Sequence, residues 1–370
     1  MKNDKIMRIG IDIRKYNDFG IGTYIQNLLV EYSKCTDIEL TLFATPEQIL
    51  QHRERMRGIF IAENSTKYSV QELFSLSRKA NGTNIDLLHE PHYTLPLNLR
   101  KKSVVTIHDL IHLKMPKYFS FSKKLYASLM LRHACRDSTY VIVDSNFTKK
   151  DIFKSFDIDE KKITSIPLGV DQAFSIEVEG QKKETFKRKY NIVKPYILYT
   201  GSLKPHKNIP LLLGAFEIIR KQIDVQLVLA GENVNDYPAI VALLKTWEIT
   251  DSVIGVGRLS QQELATAYQS SEAVVLPSLY EGFGFSMLEA MASGVPALGA
   301  NAASIPEVVG DAGILFDPFD KNDLANKLLK VLDDRGLKEN LIEKGLQRVG
   351  GFSWKKCAEQ TMNVYRMVLS

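Results

Sequence analysis

Short apolar runs and amphipathic helical stretches alternate along this 370-residue chain. The runs are rich in Val, Ile and Leu and show no strict alternation, as in strands buried on both faces of a parallel sheet. In the first half they fall at Met7–Ile13, Leu40–Ala44, Ile85–His89, Ser103–Ile107 and Tyr140–Asp144. Ile25, Leu28, Leu29 and Tyr32 recur at i, i+3, i+4 and i+7, which predicts a helix from Thr23 after a loop spanning Arg14–Gly22. Phe121–Asp137 reads as a long helix, and Ser145 as the N-cap of another. Residues 170–194, rich in Lys and Glu around Gly180, break the rhythm and predict a linker and the opening helix of a second domain. The alternation then resumes, with strands expected at Tyr196–Thr200, Val225–Ala230, Val253–Val256, Ala273–Leu276, Val295–Gly299 and Gly313–Phe316. Ser260-Gln-Gln-Glu263 is a capping box at a helix start. The pattern predicts an α/β chain of two doubly wound, Rossmann-like domains, residues 1–172 and 173–352, followed by a last helix over 353–370.

The stretch Leu276–Gly294, LPSLYEGFGFSMLEAMASG, organises the second domain. A buried strand runs into a polar turn, then Gly-Phe-Gly, then an apolar helix from about Phe285 that stops at Gly294. Ligands of open α/β sheets sit where such strands end. Gly282 and Gly284 permit close backbone approach, and the helix start offers free N–H groups and a positive dipole end. Glu281 and Glu289 frame the unit, eight residues apart, about 12 Å of rise if the segment were wholly helical. Carboxylate pairs that hydrolyse a glycosidic bond stand roughly 5 to 9.5 Å apart. This pair therefore suits gripping two parts of a long ligand, a sugar at one end and a ribose at the other. The alternative is a solvated turn glutamate and a helix-surface glutamate.

Composition changes the picture little. At 45% hydrophobic and 25% charged the chain has ordinary globular make-up, so disorder is excluded. A net charge of +5 is too small to demand a nucleic-acid partner, while remaining compatible with an anionic membrane surface or phosphorylated substrates. Cys35, Cys135 and Cys357 form no CxxC pair and read as thiols in a reducing compartment. The opening MKNDKIMRIGIDIR lacks the apolar core of a signal peptide, and no run of 18 apolar residues occurs. A cytoplasmic protein is expected. Basic residues crowd the first half at Arg100-Lys-Lys102, Lys114, Lys117, Lys123, Lys124, Arg132 and Arg136. They form either a solvated face or an edge that rests on the inner face of an anionic membrane.

Several candidate groups stand at strand ends. Gly20-Ile-Gly22-Thr23 is a glycine turn that reads either as a plain loop or as a phosphate cradle. His89, His92, His108 and His112 cluster within 24 positions, but no HExxH or CxxC framework accompanies them, so structural roles outweigh a metal. Gly201-Ser-Leu-Lys-Pro-His-Lys207 follows a strand and opens a helix, the place for an anion-binding loop. Lys207 there either neutralises a leaving diphosphate or is simply solvated. Arg258 either stacks on a nucleotide base or lies on the surface. Asp157-Ile-Asp159 satisfies a DxD pattern but sits in a charged connector and is not read as a metal site.

The segments VVLPSLYEGFG, EGFGFSMLE, EAMASGVPALGA, VVTIHDL and VDSNFTKKDI resemble retaining glycosyltransferases of family four, which have the GT-B fold, and the likeness runs along essentially the whole chain. The resemblance implies two Rossmann-like domains facing a cleft, the first binding the acceptor and the second a nucleotide-sugar donor, with the final helix crossing back to the first. It implies that Glu281 and the backbone of Gly282, Phe283 and Gly284 hold the donor sugar, and that Glu289 holds the ribose. Lys207 would lie on the diphosphate. Ser202 stands where many members have arginine, leaving His206, Arg258 or a backbone contact to compensate. Arg258 falls at the base-binding loop, and Gly20 and Gly22 at the family's first loop. His108 and Asp109 would face the reacting sugar, with His92 and Tyr93 toward the acceptor. Implied is transfer of a hexosyl group to a glycan or lipid-linked hydroxyl with retention, without metal or cofactor. The donor expected is GDP-mannose, ahead of UDP-glucose or UDP-N-acetylglucosamine. The rivals are an epimerase or phosphorylase on the same fold and a non-catalytic binding subunit.

Overall fold

A computed structural model of the protein describes residues 6–370; the reading of the extreme N-terminus, and the first five residues of the expected N-terminal domain, lie outside the described residues. The chain forms two compact units. One comprises the residues up to Gly169 together with Trp354–Ser370, the other Val170–Ser353.

The first unit is built on a seven-stranded sheet. Its strands are β1 (Met7–Asp12), β2 (Ile38–Ala44), β3 (Ile59–Ala62), β4 (Leu87–Glu90), β5 (Lys102–Ile107), β6 (Tyr140–Val143) and β7 (Ile163–Ser165), in the order β3-β2-β1-β4-β5-β6-β7. Every pairing in it is parallel. Winding therefore reverses between β1 and β4, with Ile11 opposite His89. The inner strands are buried on both faces, which is why their sequences run apolar without a break. The two edge strands escaped the pattern: β3 is half-exposed and β7 has three residues.

One expectation needs correction. The helix foreseen from Thr23 begins at Phe19, directly after Asp18, and runs to Tyr32, so Gly20 and Gly22 lie in its first turn and not in a loop. A Cβ on Gly22 would stand 2.4 Å from the carbonyl oxygen of Tyr16, so glycine is required there for packing. The helix Trp354–Leu369 lies against this one. Tyr32 donates a 3.1 Å hydrogen bond to Tyr365, whose hydroxyl meets His89 Nδ1 at 2.5 Å. Trp354, Cys357, Met362 and Tyr365 are all buried, each large apolar side chain contributing about 1.5–3 kcal/mol.

The second unit carries β8 (Tyr196–Gly201), β9 (Gln226–Gly231), β10 (Val253–Gly257), β11 (Ala273–Leu276), β12 (Ala297–Ala300) and β13 (Ile314–Phe316), all parallel in the order β10-β9-β8-β11-β12-β13. Its reversal lies between β8 and β11. The helix Gly180–Lys189 opens the unit, and Ser260 with Glu263 makes the capping box before Gln261–Gln269. At the ends of β8 and β9, Gly201 and Gly231 hold φ of +140° and +135°. A Cβ on Gly231 would meet the Gly201 oxygen at 2.0 Å, so the two strand ends can pass only as glycines.

Candidate active site

The loops that leave β8 and β11 flank the second unit's reversal point, where doubly wound sheets hold ligands. After β8 the chain makes a short turn at Pro205–Lys207. Asn208, in the left-handed region at φ +56°, then starts the helix Ile209–Ile219, and its side chain donates to the Pro318 carbonyl at 2.8 Å. After β11 the polar turn reaches Gly284, whose φ of +109° starts the helix Phe285–Ala292. The two loops are tied at two points. Leu279 N donates to the His206 carbonyl at 2.8 Å, and Lys207 Nζ lies 2.5 Å from Glu281 Oε1. Both partners of that ion pair are mostly shielded, which strengthens it relative to a surface pair. Behind the turn, fully buried Ser304 reaches the carbonyls of both Glu281 and Phe283 at 2.9 Å, locking the backbone that carries Glu281.

Glu289 projects from the helix Phe285–Ala292 one turn beyond its start. Tyr268 donates to its Oε2 at 2.6 Å and lies 2.6 Å from Thr200 Oγ1. Burial pushes the Glu289 carboxyl up to about 7; Asp171 adds to this and the Tyr268 bond opposes it. His206 goes the other way. Burial, then the charge of Lys207, depresses it to about 4, leaving a neutral imidazole. Ser202 accepts at its carbonyl from Tyr199 OH at 2.5 Å. Glu232, just past β9, takes Leu203 N at 2.8 Å and the Tyr237 hydroxyl, and so shapes the loop bearing Lys207. Sequence reasoning missed Glu232, Tyr268 and Ser304. Only the position of Glu232 after a strand-ending glycine pointed to it. Arg258 follows Gly257 at the end of β10, two strands away from β8.

The first unit gathers polar side chains at its own strand ends. His108 Nδ1 lies 2.6 Å from Asp144 Oδ2, and Nε2 lies 3.1 Å from the Pro91 carbonyl. Both ring nitrogens face oxygens, so His108 and Asp144 share a proton across the short contact. Burial works against the charged ring, but the Asp144 carboxylate outweighs this and raises the pKa above the usual histidine value. Asp109 accepts from Ile111 N at 2.9 Å and caps a short helix. His92 stacks on Tyr93 with ring centroids 3.9 Å apart, both buried. His89 is structural, held between Thr106 Oγ1 at 2.8 Å and Tyr365 and depressed by burial to about 3. Among the described residues no three His, Cys, Asp or Glu side chains converge as a metal site would need. Asp159 caps a turn by accepting from Lys161 N at 2.9 Å.

A parallel unit with a lysine–glutamate pair at its reversal point and a second, buried glutamate one turn into the following helix suits a nucleotide-sugar-dependent transferase. The family models agree. "Glycosyl transferases group 1" matches residues 182–348 and "Glycosyltransferase Family 4" residues 20–174, most of the chain between them. The chain belongs to the group 1, family 4 glycosyltransferases and is a retaining hexosyltransferase with the GT-B fold. It is 28% identical over 284 residues to the O-antigen chain mannosyltransferase B of Escherichia coli, spanning 76% of this chain and 74% of that one. It is 27% identical over 292 residues to the serotype-specific mannosyltransferase WbdA of the same organism, but spans only 36% of that longer protein. The crystal structure of Anabaena Alr3699/HepE in complex with UDP-glucose superposes with a TM-score of 0.80 at 17% identity, covering 98% of this chain and all of that one.

Proposed function

We propose that this enzyme transfers mannose from GDP-mannose to a hydroxyl of a glycan or lipid-linked acceptor during polysaccharide assembly, with retention at the anomeric carbon. The Lys207–Glu281 pair across the β8–β11 reversal carries the reading. Lys207 neutralises the departing diphosphate together with the start of the helix after Asn208. When the donor binds, Glu281 exchanges its lysine partner for sugar hydroxyls, aided by the backbone of Gly282, Phe283 and Gly284. Glu289 accepts from the ribose hydroxyls. His206 and Ser202 line the diphosphate loop, and Arg258 stacks on the base. Residues 173–352 bind the donor and residues 1–172 the acceptor. There His108 and Asp109 contact sugar hydroxyls and His92 and Tyr93 hold the acceptor, while the helix start at Gly20 and Gly22 leans toward the donor.

The names of the mannosyltransferase relatives support mannose as the sugar. The structural relative solved with UDP-glucose supports the runner-up donor. GDP and UDP share the diphosphate and ribose, so Lys207 and Glu289 cannot separate them and only the base loop can. A ligand at a hundred times its Kd stabilises by about 2.7 kcal/mol, or roughly 5–10 °C in melting temperature for a domain of this size. GDP should raise the melting temperature more than UDP. A shift with UDP and none with GDP rejects the GDP-mannose donor.

No helix among the described residues is long and apolar enough to cross a membrane. The outward face of Phe121–Asp137 nevertheless exposes Phe121, Leu125 and Leu129 beside Lys123, Arg132 and Arg136. That mixture supports contact with an anionic lipid surface, where a lipid-linked acceptor would lie.

A further inference from the structure

At the reversal point of the first unit, neighbouring strands β1 and β4 end in Asp12 and Glu90, the place where a doubly wound sheet holds a ligand. The charges gathered there are unevenly matched. Arg14 is fully engaged: its guanidinium bonds both oxygens of Asp12, Glu72 at 2.7 Å and Ser65 Oγ at 3.2 Å. Lys15 is not. It is 3% exposed, its ammonium has no hydrogen-bond partner among the described residues, and it lies 3.8 Å from the centre of the Tyr68 ring. Glu90, 1% exposed, likewise has an unpartnered Oε2. Its burial, with Asp12 and Glu72 nearby, pushes the carboxyl well above the usual carboxylate range, against the pull of Arg14 and Lys15. A buried amine and a buried carboxyl oxygen left without hydrogen-bond partners are unfavourable, and nothing in the donor site uses them.

The side chain that covers Lys15 is itself unusual. Tyr68 holds φ at +62°, a region an aromatic residue seldom adopts outside functional sites, and is nearly half-exposed. Its ring stands edge-on to His92 and Tyr126, with centroids 5.6 and 6.3 Å away.

We propose that Lys15 and Glu90 form a sugar-hydroxyl subsite at the β1–β4 reversal, covered by Tyr68, that takes a neutral pyranose unit of the acceptor. Lys15 donates to one hydroxyl of a vicinal pair. The neutral carboxyl of Glu90 both donates and accepts at the other. When Tyr68 swings aside it offers its ring to the apolar C–H face of the sugar, with His92 beside it. A phosphate suits the place less, because the carboxylates of Asp12 and Glu72 already answer the charge of Arg14 and stand beside Lys15. These are specificity residues and take no part in bond breaking. The inference rests on the reading of the protein as a glycosyltransferase whose first unit binds the acceptor.

The test is saturation-transfer NMR on the full chain, with methyl α-mannopyranoside and methyl α-glucopyranoside as probes and no donor present. The wild type should give signal with at least one probe. Lys15→Met, which keeps the stem and removes the charge, should lose at least five-fold of it, and Tyr68→Ala at least three-fold. Glu90→Gln should keep it, since a neutral group remains. The rise in melting temperature caused by GDP or UDP should be unchanged in all three. No signal from the wild type, or full signal in Lys15→Met, overturns the subsite. If Lys15→Met does not fold, the half-exposed Tyr68→Ala decides, and full signal there overturns it equally. Hexoside binding without any nucleotide shift in the wild type would instead count against the transferase reading and leave the subsite standing.

Discussion

Glu281 and Glu289 have the same side chain in different surroundings, and their variants should differ accordingly. Glu281 is paired with Lys207 at the sugar end, so Glu281→Ala should lose transfer by a hundred-fold or more while nucleoside diphosphate binding survives. Glu289→Ala should weaken nucleotide binding instead; equal losses of nucleotide affinity in both would contradict this division. Burial places the Glu289 carboxyl near pH 7, against about 4.5 in the unfolded chain. A raised carboxyl favours the folded state at low pH, and that advantage fades as pH rises from about 4.5 through 7. Glu289→Gln should therefore stabilise the protein by up to about 3 kcal/mol at pH 8 and by little at pH 4, seen as melting temperatures across pH. An equal effect at both ends would show that Glu289 titrates normally. His108, oriented by Asp144 and the Pro91 carbonyl, should behave as a positioning group: His108→Ala should lower kcat more than donor affinity. Unchanged turnover would return it to a structural role. Of these residues, Glu281, Glu289, His108 and Lys207 were legible in the sequence through their motifs. Ser304, Tyr268, Asp144 and Glu232 were not, because a side chain that orients another across the fold leaves no local spacing to read.

At the scale of elements, the buried strands were legible because a strand covered on both faces must run apolar. β1, β2, β4, β5 and β6 and all six strands of the second unit lie within a few residues of their predicted ranges. The edges were not: β3 and β7 bury too little to stand out. The glycine pair misled in a definite way. Gly20 and Gly22 suggested a loop, yet Gly22 is small because Tyr16 crosses it inside a helical turn. Gly22→Val should destabilise by more than about 2 kcal/mol, since the clash is with backbone that has nowhere to move. Thermal unfolding checks it, and a loss below half that would mean the turn relaxes. The helix Phe121–Asp137 was placed correctly, while the Phe121, Leu125 and Leu129 stripe emerges only once its inner face is known. Phe121→Asp with Leu125→Asp should abolish sedimentation with vesicles containing phosphatidylglycerol and leave donor hydrolysis intact. Unaltered sedimentation of the double variant would rule out this face.

At the scale of the molecule, each unit is a doubly wound sheet whose winding reverses once, and each sets charged side chains at its reversal. The last helix shows why sequence order is a poor guide to packing: Trp354–Ser370 follows the second unit in the chain but belongs to the first. The central claim is retaining transfer from a nucleotide sugar through Lys207 and Glu281. It is tested most directly by following GDP-mannose, UDP-glucose and UDP-N-acetylglucosamine by proton NMR in the presence of enzyme and no acceptor, before mutarotation scrambles the product. The account predicts release of nucleoside diphosphate from one of the three, GDP-mannose foremost, with the α-anomer of the sugar appearing first and both signals lost in Glu281→Ala. First appearance of the β-anomer would contradict retention, and an inert response to every donor from well-folded protein would contradict the account as a whole.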